Sequence, residues 1–298
     1  MDGFLAINKP KGITSHDAVA FARRRLKIRK IGHAGTLDPM ATGVLILGIG
    51  AATRLLEYVQ NSEKEYEAEI TFGATSTTDD AEGELTVLPE AKKFTRADLE
   101  KVLPEFTGLV HQIPPQFSAI KIAGQSAHRL ARRGAEVKLK SREVAIHEIK
   151  IRNFDFPKTE ISVRCGSGTY IRSLARDLGS RLETGAYLSK LTRTRIGDFT
   201  LNRALPLRSI RLEKVLPIEA GITLPPINLT RLEADKIQNG QKISARTSDP
   251  LVAAFFENHF LAILAREDAK HSLKPEKVFA KNLPAEKLVE FATRKIRG

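Results

Sequence analysis

The residue of this sequence best suited to covalent chemistry is a lone carboxylate, Asp38, in the segment 32–54. Glycines bracket the loop that contains it, and the apolar run 44–52 follows. Because Pro39 comes next, the backbone of Asp38 is biased towards an extended conformation, and an extended loop can present a side chain into a cleft. Taken alone, such a carboxylate can be a nucleophile, a metal ligand or an ordinary turn residue.

The other reactive residue types argue against metal chemistry at this position. None of the seven histidines forms an i, i+4 pair or an H-E-x-x-H motif, and the one cysteine, Cys165, excludes a Cys-rich zinc site. Two-metal chemistry needs a carboxylate cluster, and Met40 stands where an aspartate-nucleophile phosphotransferase usually has a second aspartate. The segment 166–169 is not a G-x-S-x-G motif. One carboxylate that attacks an electrophilic carbon, without a metal, fits this set of residues.

A distant arginine needs an anionic partner. The apolar spacing after the glycine-rich segment 166–168 predicts a helix with Thr169 as its N-cap, which puts Arg172 at position N3. The helix dipole disfavours a cation in the first turn, so an anion should compensate. Asp38 and an RNA phosphate are the two candidates, and they do not exclude each other. The alternative is an exposed arginine that solvent screens.

The charge balance indicates a polyanionic partner. The chain of 298 residues has 48 Lys and Arg against 35 Asp and Glu, a net charge of +13. Such an excess is typical of proteins that neutralise phosphates. The segment 111–142 contains a predicted basic helix and is a candidate RNA clamp, with a solvated surface helix as the alternative. Its candidate RNA-binding residues are Arg129, Arg132, Arg133 and Lys138.

Periodicity predicts an α+β protein of two domains. Clean alternation predicts a half-buried strand at 64–72, whose Tyr66 is either a core residue or a ring at a cleft edge. A helix is predicted at 16–27, and the polar loop 73–84 is predicted to be a solvated turn. Prolines near 217–226 mark a domain boundary.

The C-terminal part is predicted to be a small β-barrel with a final helix at 285–296. Its clearest signal is a hairpin that turns around Glu257 and Asn258. The predicted domains are therefore 1–220, with the clamp insertion at about 111–142, and 225–298. No signal peptide or membrane span is recognised in the sequence, and a single cysteine suits a reducing compartment, so a cytoplasmic protein is expected.

Several blocks of the sequence together resemble the bacterial tRNA pseudouridine-55 synthases of the TruB type, over roughly residues 5–220. The C-terminal part is similar to a PUA domain. The blocks that carry the resemblance are Asn8-Lys9-Pro10-Lys11-Gly12, Thr14-Ser15, Gly32-His33-Ala34-Gly35-Thr36-Leu37-Asp38-Pro39, Ala41-Thr42-Gly43-Val44-Leu45, Lys64 with Tyr66, Pro114-Pro115, Phe117-Ser118-Ala119, and Ser167-Gly168-Thr169-Tyr170-Ile171-Arg172 with Leu174-Ala175 and Asp177-Leu178-Gly179.

The resemblance implies a fold and a reaction. The fold would be a mixed, mainly antiparallel sheet with flanking helices. A uridine of the tRNA T-loop would be extruded into the cleft, Asp38 would form a covalent adduct at ribose C1′, and the freed uracil would rotate and re-bond through C5. Neither metal nor cofactor would be needed, and a monomer acting on the tRNA T-arm is expected. Arg172 would pair with Asp38, and Tyr66 would stack on the base and assist proton removal. The resemblance also assigns Leu191 to the pocket lining, Tyr170 to a nucleotide contact, His33 to the opened T-loop and Lys9 to the support of the site.

Two departures from the family pattern concern RNA docking. Ser76-Thr77-Thr78 replaces the usual T-D-T, and Ser126-Ala127-His128-Arg129 replaces the usual Arg-Ala-Tyr-Glu on the clamp helix. These departures do not touch the catalytic residues. The alternative function is a non-catalytic RNA-binding or tRNA-folding protein on the same scaffold. A pure binder has little use for a carboxylate in a cleft that faces phosphates, since repulsion weakens binding.

Overall fold

The computed structural model of the protein describes residues 1–117, 121–122, 125–126, 139–267 and 272–279. Much of the predicted clamp insertion lies outside these residues, and so does the final helix predicted at 285–296. The four predicted RNA-binding residues, Arg129, Arg132, Arg133 and Lys138, lie outside the described residues as well.

Alternating apolar and polar residues build the large sheet, because successive side chains of a strand point to opposite faces. The first nine strands are β1 (Gly3–Lys9), β2 (Ile31–Ala34), β3 (Thr42–Ile49), β4 (Lys64–Phe72), β5 (Ala74–Ser76), β6 (Leu85–Val87), β7 (Gly108–Gln112), β8 (Lys121–Ile122) and β9 (Gln125–Ser126). They are followed by β10 (Arg142–Asp155), β11 (Lys158–Cys165), β12 (Ala186–Ile196), β13 (Phe199–Thr200) and β14 (Leu205–Pro206). The strand predicted at 64–72 is confirmed with these limits.

Within the described residues, ten of these strands form one sheet in the order β14-β1-β3-β12-β4-β11-β10-β7, with β2 beside β3 and β13 beside β12. The sheet is mixed and mainly antiparallel, as predicted. Strand β4 pairs antiparallel with both β11 and β12, whereas β12 pairs parallel with β3. Strand β7 ends the order, so the predicted clamp insertion follows an edge strand of the described sheet.

The described helices are α1 (Ser15–Leu26), α2 (Leu56–Asn61), α3 (Arg96–Val102), α4 (Ile171–Arg181) and α5 (Arg231–Gln238). Helix α1 confirms the prediction at 16–27, and α4 packs its apolar residues beneath the sheet residues of β12. Among the residues that the structure describes, no helix is long and apolar enough to cross a membrane.

Five strands form a second sheet near the C-terminus. They are β15 (Pro226–Asn228), β16 (Ile243–Ser244), β17 (Leu251–Phe256), β18 (His259–Glu267) and β19 (Ser272–Val278), in the order β15-β17-β18-β19-β16. The predicted hairpin is confirmed: Glu257 and Asn258 join β17 to β18, and both have positive φ, as a two-residue hairpin turn requires.

The chain separates into two compact units. The larger unit contains Leu5–Leu47 and Gln60–Lys214. The smaller unit contains Met1–Phe4, Gly48–Val59 and the described residues from Val215 onward. The domain limits 1–220 and 225–298 remain a prediction, and so does the PUA-like barrel.

Candidate active site

Asp38, Arg172 and Tyr66 line one cavity of about 380 Å³ in the larger unit. Asp38 lies in the loop between β2 and β3, Arg172 in the first turn of α4, and Tyr66 on β4. The volume lies within the range of roughly 300–1,000 Å³ that is common for small-molecule sites. The other lining residues are Gly35, Thr36, Leu37, Gln60, Asn61, Lys64, Ser167, Gly168, Thr169, Tyr170, Ile171, Leu191 and Arg193.

The contact between Asp38 and Arg172 that the sequence indicated is present. Nη2 of Arg172 donates a hydrogen bond of 3.2 Å to Oδ1 of Asp38, and Nε lies 3.0 Å from Oδ2. The predicted helix start was wrong by one residue, because Tyr170 is the N-cap and Arg172 stands at N2 rather than N3. The dipole argument holds at N2 as well, since it applies to the whole first turn.

The loop of Asp38 is fixed from both sides by α1 and β1. Ser15 Oγ donates to the carbonyl of Leu37 (3.1 Å) and accepts from its N–H (2.9 Å). Lys9 is fully buried, and its Nζ donates to the carbonyls of Pro10, Ile13 and Pro39 at 2.9, 2.8 and 3.4 Å. Burial lowers the pKa of Lys9 to about 8. Lys9 does not line the cavity, so its support of Asp38 acts through the loop.

A second carboxylate, Asp80, shares Arg172 with Asp38. The 73–84 prediction of a solvated turn was wrong, because Asp80 is only 2% exposed and its Oδ2 lies 3.3 Å from Nη1 of Arg172. Asp79 pairs with Arg176 at 2.9 Å. The Thr78 hydroxyl donates to Asp80 at 2.6 Å. No local pattern announced this role, since the partner of Asp80 is remote in the sequence.

Arg172 also holds two backbone carbonyls. Nη1 donates to Thr78 O at 3.1 Å, and Nη2 donates to Phe117 O at 3.0 Å. The guanidinium is 5% exposed, whereas the side chain of Asp38 keeps 33% exposure. The arginine is therefore buried behind the carboxylate, and the carboxylate is the member of the pair that a substrate can reach.

Burial and charge act in opposite directions on Asp38. Burial raises the pKa of its carboxyl group, the neighbouring Arg172 lowers it, and the charge of Asp80 raises it. Arg172 therefore favours the ionised form that a nucleophile needs.

Burial raises the pKa of Tyr66, which keeps its phenol neutral near pH 7. Tyr66 is 7% exposed and lines the cavity, so it belongs both to the core and to the cleft. A neutral phenol can stack on a base and donate a hydrogen bond. To accept a proton it must first lose its own.

Sequence reasoning assigned no role to two buried cations in the cavity wall, although Lys64 belongs to one of the blocks that carry the family resemblance. Arg193 is 1% exposed and donates from Nε to Val44 O (2.7 Å) and from Nη2 to Gly35 O (2.9 Å), which fixes both ends of the loop around Asp38. Lys64 Nζ donates to the carbonyls of Gln60 and Ser62, and burial lowers its pKa to about 8. Both residues bind main-chain carbonyls, for which no sequence motif exists.

The structure brings Leu191 and Tyr170 into the lining, as the resemblance implied, but not His33. The ring of His33 packs edge-on against His16, with 5.2 Å between centroids. Burial lowers the pKa of His33 to about 4, so this imidazole is neutral near pH 7. The RNA contact predicted for His33 remains a prediction.

The fold is similar to that of two protein chains of known structure. One is a chain of a Cbf5-Nop10-Gar1 complex, with a TM-score of 0.74 and 24% identity over 95% of this chain and 86% of that chain. Another is a chain of an H/ACA RNP bound to a substrate RNA containing 2′-deoxyuridine, with a TM-score of 0.72 and 23% identity over 95% and 85%. These likenesses establish the fold.

Sequence comparisons establish the family. The family model described as "TruB family pseudouridylate synthase (N terminal domain)" matches residues 23–171. Proteins named tRNA pseudouridine synthase B are 44% identical in Thermobifida fusca (strain YX) and 41% identical in Carboxydothermus hydrogenoformans. Each match covers 94% of this chain and 99% of the relative.

The family match assigns this fold and site to a class of enzymes that isomerise uridine to pseudouridine in RNA. Within that class, the chain belongs to the TruB family of pseudouridylate synthases.

Proposed function

We propose that this protein converts the uridine at position 55, in the T-loop of tRNA, to pseudouridine, with Asp38 as the nucleophile. The observation that carries the proposal is the pair of Asp38 and Arg172 at the wall of a cavity that also contains Tyr66. The names of the relatives, tRNA pseudouridine synthase B, support the RNA class.

The proposed reaction balances without an external reagent. A carboxylate oxygen of Asp38 bonds to ribose C1′, the N1–C1′ bond breaks, and its electron pair leaves with uracil N1. The uracil rotates, C5 bonds to C1′, and the ester to Asp38 breaks to restore the carboxylate. C5 then loses a proton and N1 gains one. The product is an isomer of the substrate.

The lining residues and the residues that support them have distinct tasks in this proposal. Arg172 keeps Asp38 ionised and orients both of its oxygens, and it supplies the positive charge beside the carboxylate, so the proposal includes neither metal nor cofactor. Tyr66 stacks on the extruded base, Leu191 packs against it, and Tyr170 contacts the nucleotide. Lys9 and Arg193 hold the loop of Asp38 by its carbonyls.

The wider proposal concerns docking. A monomer would bind the T-arm through the basic insertion 111–142 and a PUA-like C-terminal domain, since the net charge of +13 suits an RNA partner. The run 23–30 at the end of α1 exposes six basic residues, for which phosphate contact and simple solvation are the two explanations. They are Arg23, Arg24, Arg25, Lys27, Arg29 and Lys30. The protein would act in the cytoplasm, where its tRNA substrate is processed.

The test is Asp38→Ala on tRNA transcripts. Pseudouridine formation at position 55 should be lost, and the dissociation constant for tRNA should change by less than about threefold, because the exposed basic residues remain. Asp198→Ala, at an exposed aspartate of the larger unit between β12 and β13, is the control and should be fully active. Normal turnover by Asp38→Ala would disprove the nucleophile. A wild-type protein that binds and refolds tRNA without forming pseudouridine would instead support the non-catalytic alternative.

A further inference from the structure

The side chain of Gln112 closes a two-point contact with the start of helix α4. Gln112 is the last residue of β7 and is 4% exposed. Its Oε1 accepts from the N–H of Tyr170 at 2.8 Å, and its Nε2 donates to the carbonyl of Tyr170 at 3.0 Å. The same carbonyl accepts the first helical bond, from Leu174 N–H at 3.1 Å. The side-chain amide of Gln112 therefore binds both the N–H and the carbonyl of the N-cap residue.

Three other described helices, α1, α3 and α5, obtain this cap from their own residues. In α1, α3 and α5 the N-cap is a threonine, and the N-cap N–H donates to an acidic side chain at N3. These pairs are Thr14 with Asp17, Thr95 with Asp98 and Thr230 with Glu233. In α4 the N-cap is Tyr170, whose side chain provides no cap, and the N3 residue is Ser173. Gln112 thus takes the place of the missing acidic side chain.

A neutral amide is the suitable cap at this position. A carboxylate at N3 of α4 would stand one residue from Arg172, which already binds Asp38 and Asp80. Such a third carboxylate would compete for the guanidinium and would raise the pKa of Asp38 by repulsion. The amide of Gln112 satisfies the N–H of Tyr170 and adds no charge to the cavity.

The residues that follow Gln112 attach to the same helix turn. The carbonyl of Ile113 accepts from Ser173 Oγ and from Arg176 Nη2, both at 2.8 Å. The carbonyl of Phe117 accepts from Arg172. Gln112 is thus the buried side chain in a set of bonds that seats the first turn of α4 against the end of β7.

We propose that Gln112 is a positioning residue of the reaction, which acts by fixing the backbone of Tyr170 and thereby the direction of Arg172 towards Asp38. Gln112 does not line the cavity that contains Asp38. The proposal rests on the proposed function, because it assumes that the pair of Asp38 and Arg172 performs the chemistry. A shift of about 1 Å in such a pair can reduce a rate on the order of 100-fold.

The experiment compares Gln112→Leu, Gln112→Glu and a control on the same strand, Leu109→Gln, whose side chain is 72% exposed. Single-turnover rates of pseudouridine formation, tRNA affinity and unfolding midpoints are measured from pH 5 to pH 8. At pH 8 both Gln112 variants should lose about 10- to 100-fold in rate with little change in tRNA affinity. Leu109→Gln should match the wild type.

The pH profile separates positioning from loss of fold. A protonated glutamic acid can accept the N–H of Tyr170 and donate to its carbonyl, as the amide does, whereas the ionised form repels that carbonyl. The deficit of Gln112→Glu relative to the wild type should therefore shrink as pH falls, and the deficit of Gln112→Leu should stay constant. The neighbouring titratable groups Glu105, His111 and Asp177 line the same small cavity as Gln112. Arg142 on β10 lies opposite Gln112 in the antiparallel pairing with β7. These groups are present in every variant, so their titration cancels when the rate of a variant is divided by the rate of the wild type at the same pH.

Each outcome decides the proposal. Rates equal to the wild type, a loss explained by tRNA affinity or by the unfolded fraction, or an equal and pH-independent deficit in both Gln112 variants would overturn it. If Gln112→Leu does not fold, the pH-dependent recovery of Gln112→Glu decides alone. Asp38→Ala in the same assay distinguishes failure of the proposed function from failure of the positioning role. If it is active, the proposed function fails, and if it is inactive while Gln112→Leu is fully active, only the positioning role fails.

Discussion

Helices α3 and α4 begin in opposite ways, although both belong to the larger unit. The cap of α3 is local: Thr95 accepts from Asp98 N–H, and Asp98 accepts from Thr95 N–H. The cap of α4 comes from Gln112, 58 residues away. A local cap stabilises its helix whatever the rest of the chain does, whereas a remote cap exists only after the sheet has formed. The helix that carries Arg172 thus takes its position from the tertiary fold.

The difference follows from what each helix must bury. Helix α3 buries only Leu99 and Val102, and its acidic N3 residue remains in solvent. The first turn of α4 buries the guanidinium of Arg172 together with the carboxylate of Asp80, and Asp38 is partly exposed beside them, so an additional ionised cap there would face an unfavourable desolvation cost. The other contacts of Arg172 are to neutral main-chain carbonyls.

The largest expected effect is that of Arg172→Lys. An ammonium cannot reproduce a planar fork that contacts both oxygens of Asp38, Asp80 and two carbonyls at once. We expect the rate of pseudouridine formation to fall by at least about 100-fold, measured at saturating tRNA.

The matched control for Arg172→Lys lies at the other end of α4. Arg181 forms an exposed two-point pair with Glu105, and exposed pairs contribute little. Arg181→Lys should therefore keep the wild-type rate. Equal rates for Arg172→Lys and the wild type would contradict the catalytic pairing, and the distinction between the two ends of the helix would disappear.

A smaller effect is expected for Asp80→Asn. The amide keeps the shape but removes the charge, and that charge raises the pKa of Asp38. The acid limb of the pH–rate profile should therefore move to lower pH, because Asp38 stays ionised further down, and the rate at neutral pH should fall about 10-fold as Arg172 loses a partner that orients it.

The profile of Asp80→Asn is compared with that of Asp79→Asn, which instead removes the charge of one of the two carboxylate partners of Arg176. Asp79→Asn should leave the acid limb close to its wild-type position. If the acid limb of Asp80→Asn moved to higher pH instead, the charge of Asp80 would not be what raises the pKa of Asp38.

Local patterns accounted for much of the fold. The alternation of 64–72 gave the limits of β4, the apolar spacing at 16–27 gave α1 within one residue at each end, and two residues with turn preference marked the hairpin at Glu257. These features depend on neighbours in sequence, so period and capping rules suffice. Asp38 was found by its loop, and Arg172 by a charge that its own helix disfavours.

The supporting residues of the site could not be read in this way. Asp80 sits in a polar stretch like any solvated turn, and Arg193 binds the carbonyl of Gly35, 158 residues away. Gln112 is uncharged, and no periodic pattern in the sequence singles it out. Their partners are backbone groups or side chains brought close only by the sheet order, and a single sequence has no local signature for such contacts.

The smallest expected effect, that of Thr95→Ala, sharpens the contrast between the two caps. Removing the threonine N-cap of α3 should lower the free energy of unfolding by about 1 kcal/mol, the usual cost of losing such a cap, and should leave the rate of pseudouridine formation unchanged. Gln112→Leu should show the reverse, a reduced rate whatever its effect on stability. Denaturant unfolding and single-turnover rates of the two variants, measured side by side, test this. If Thr95→Ala slowed the reaction as much as Gln112→Leu, both caps would act through general stability, and the remote cap would have no special relation to Arg172.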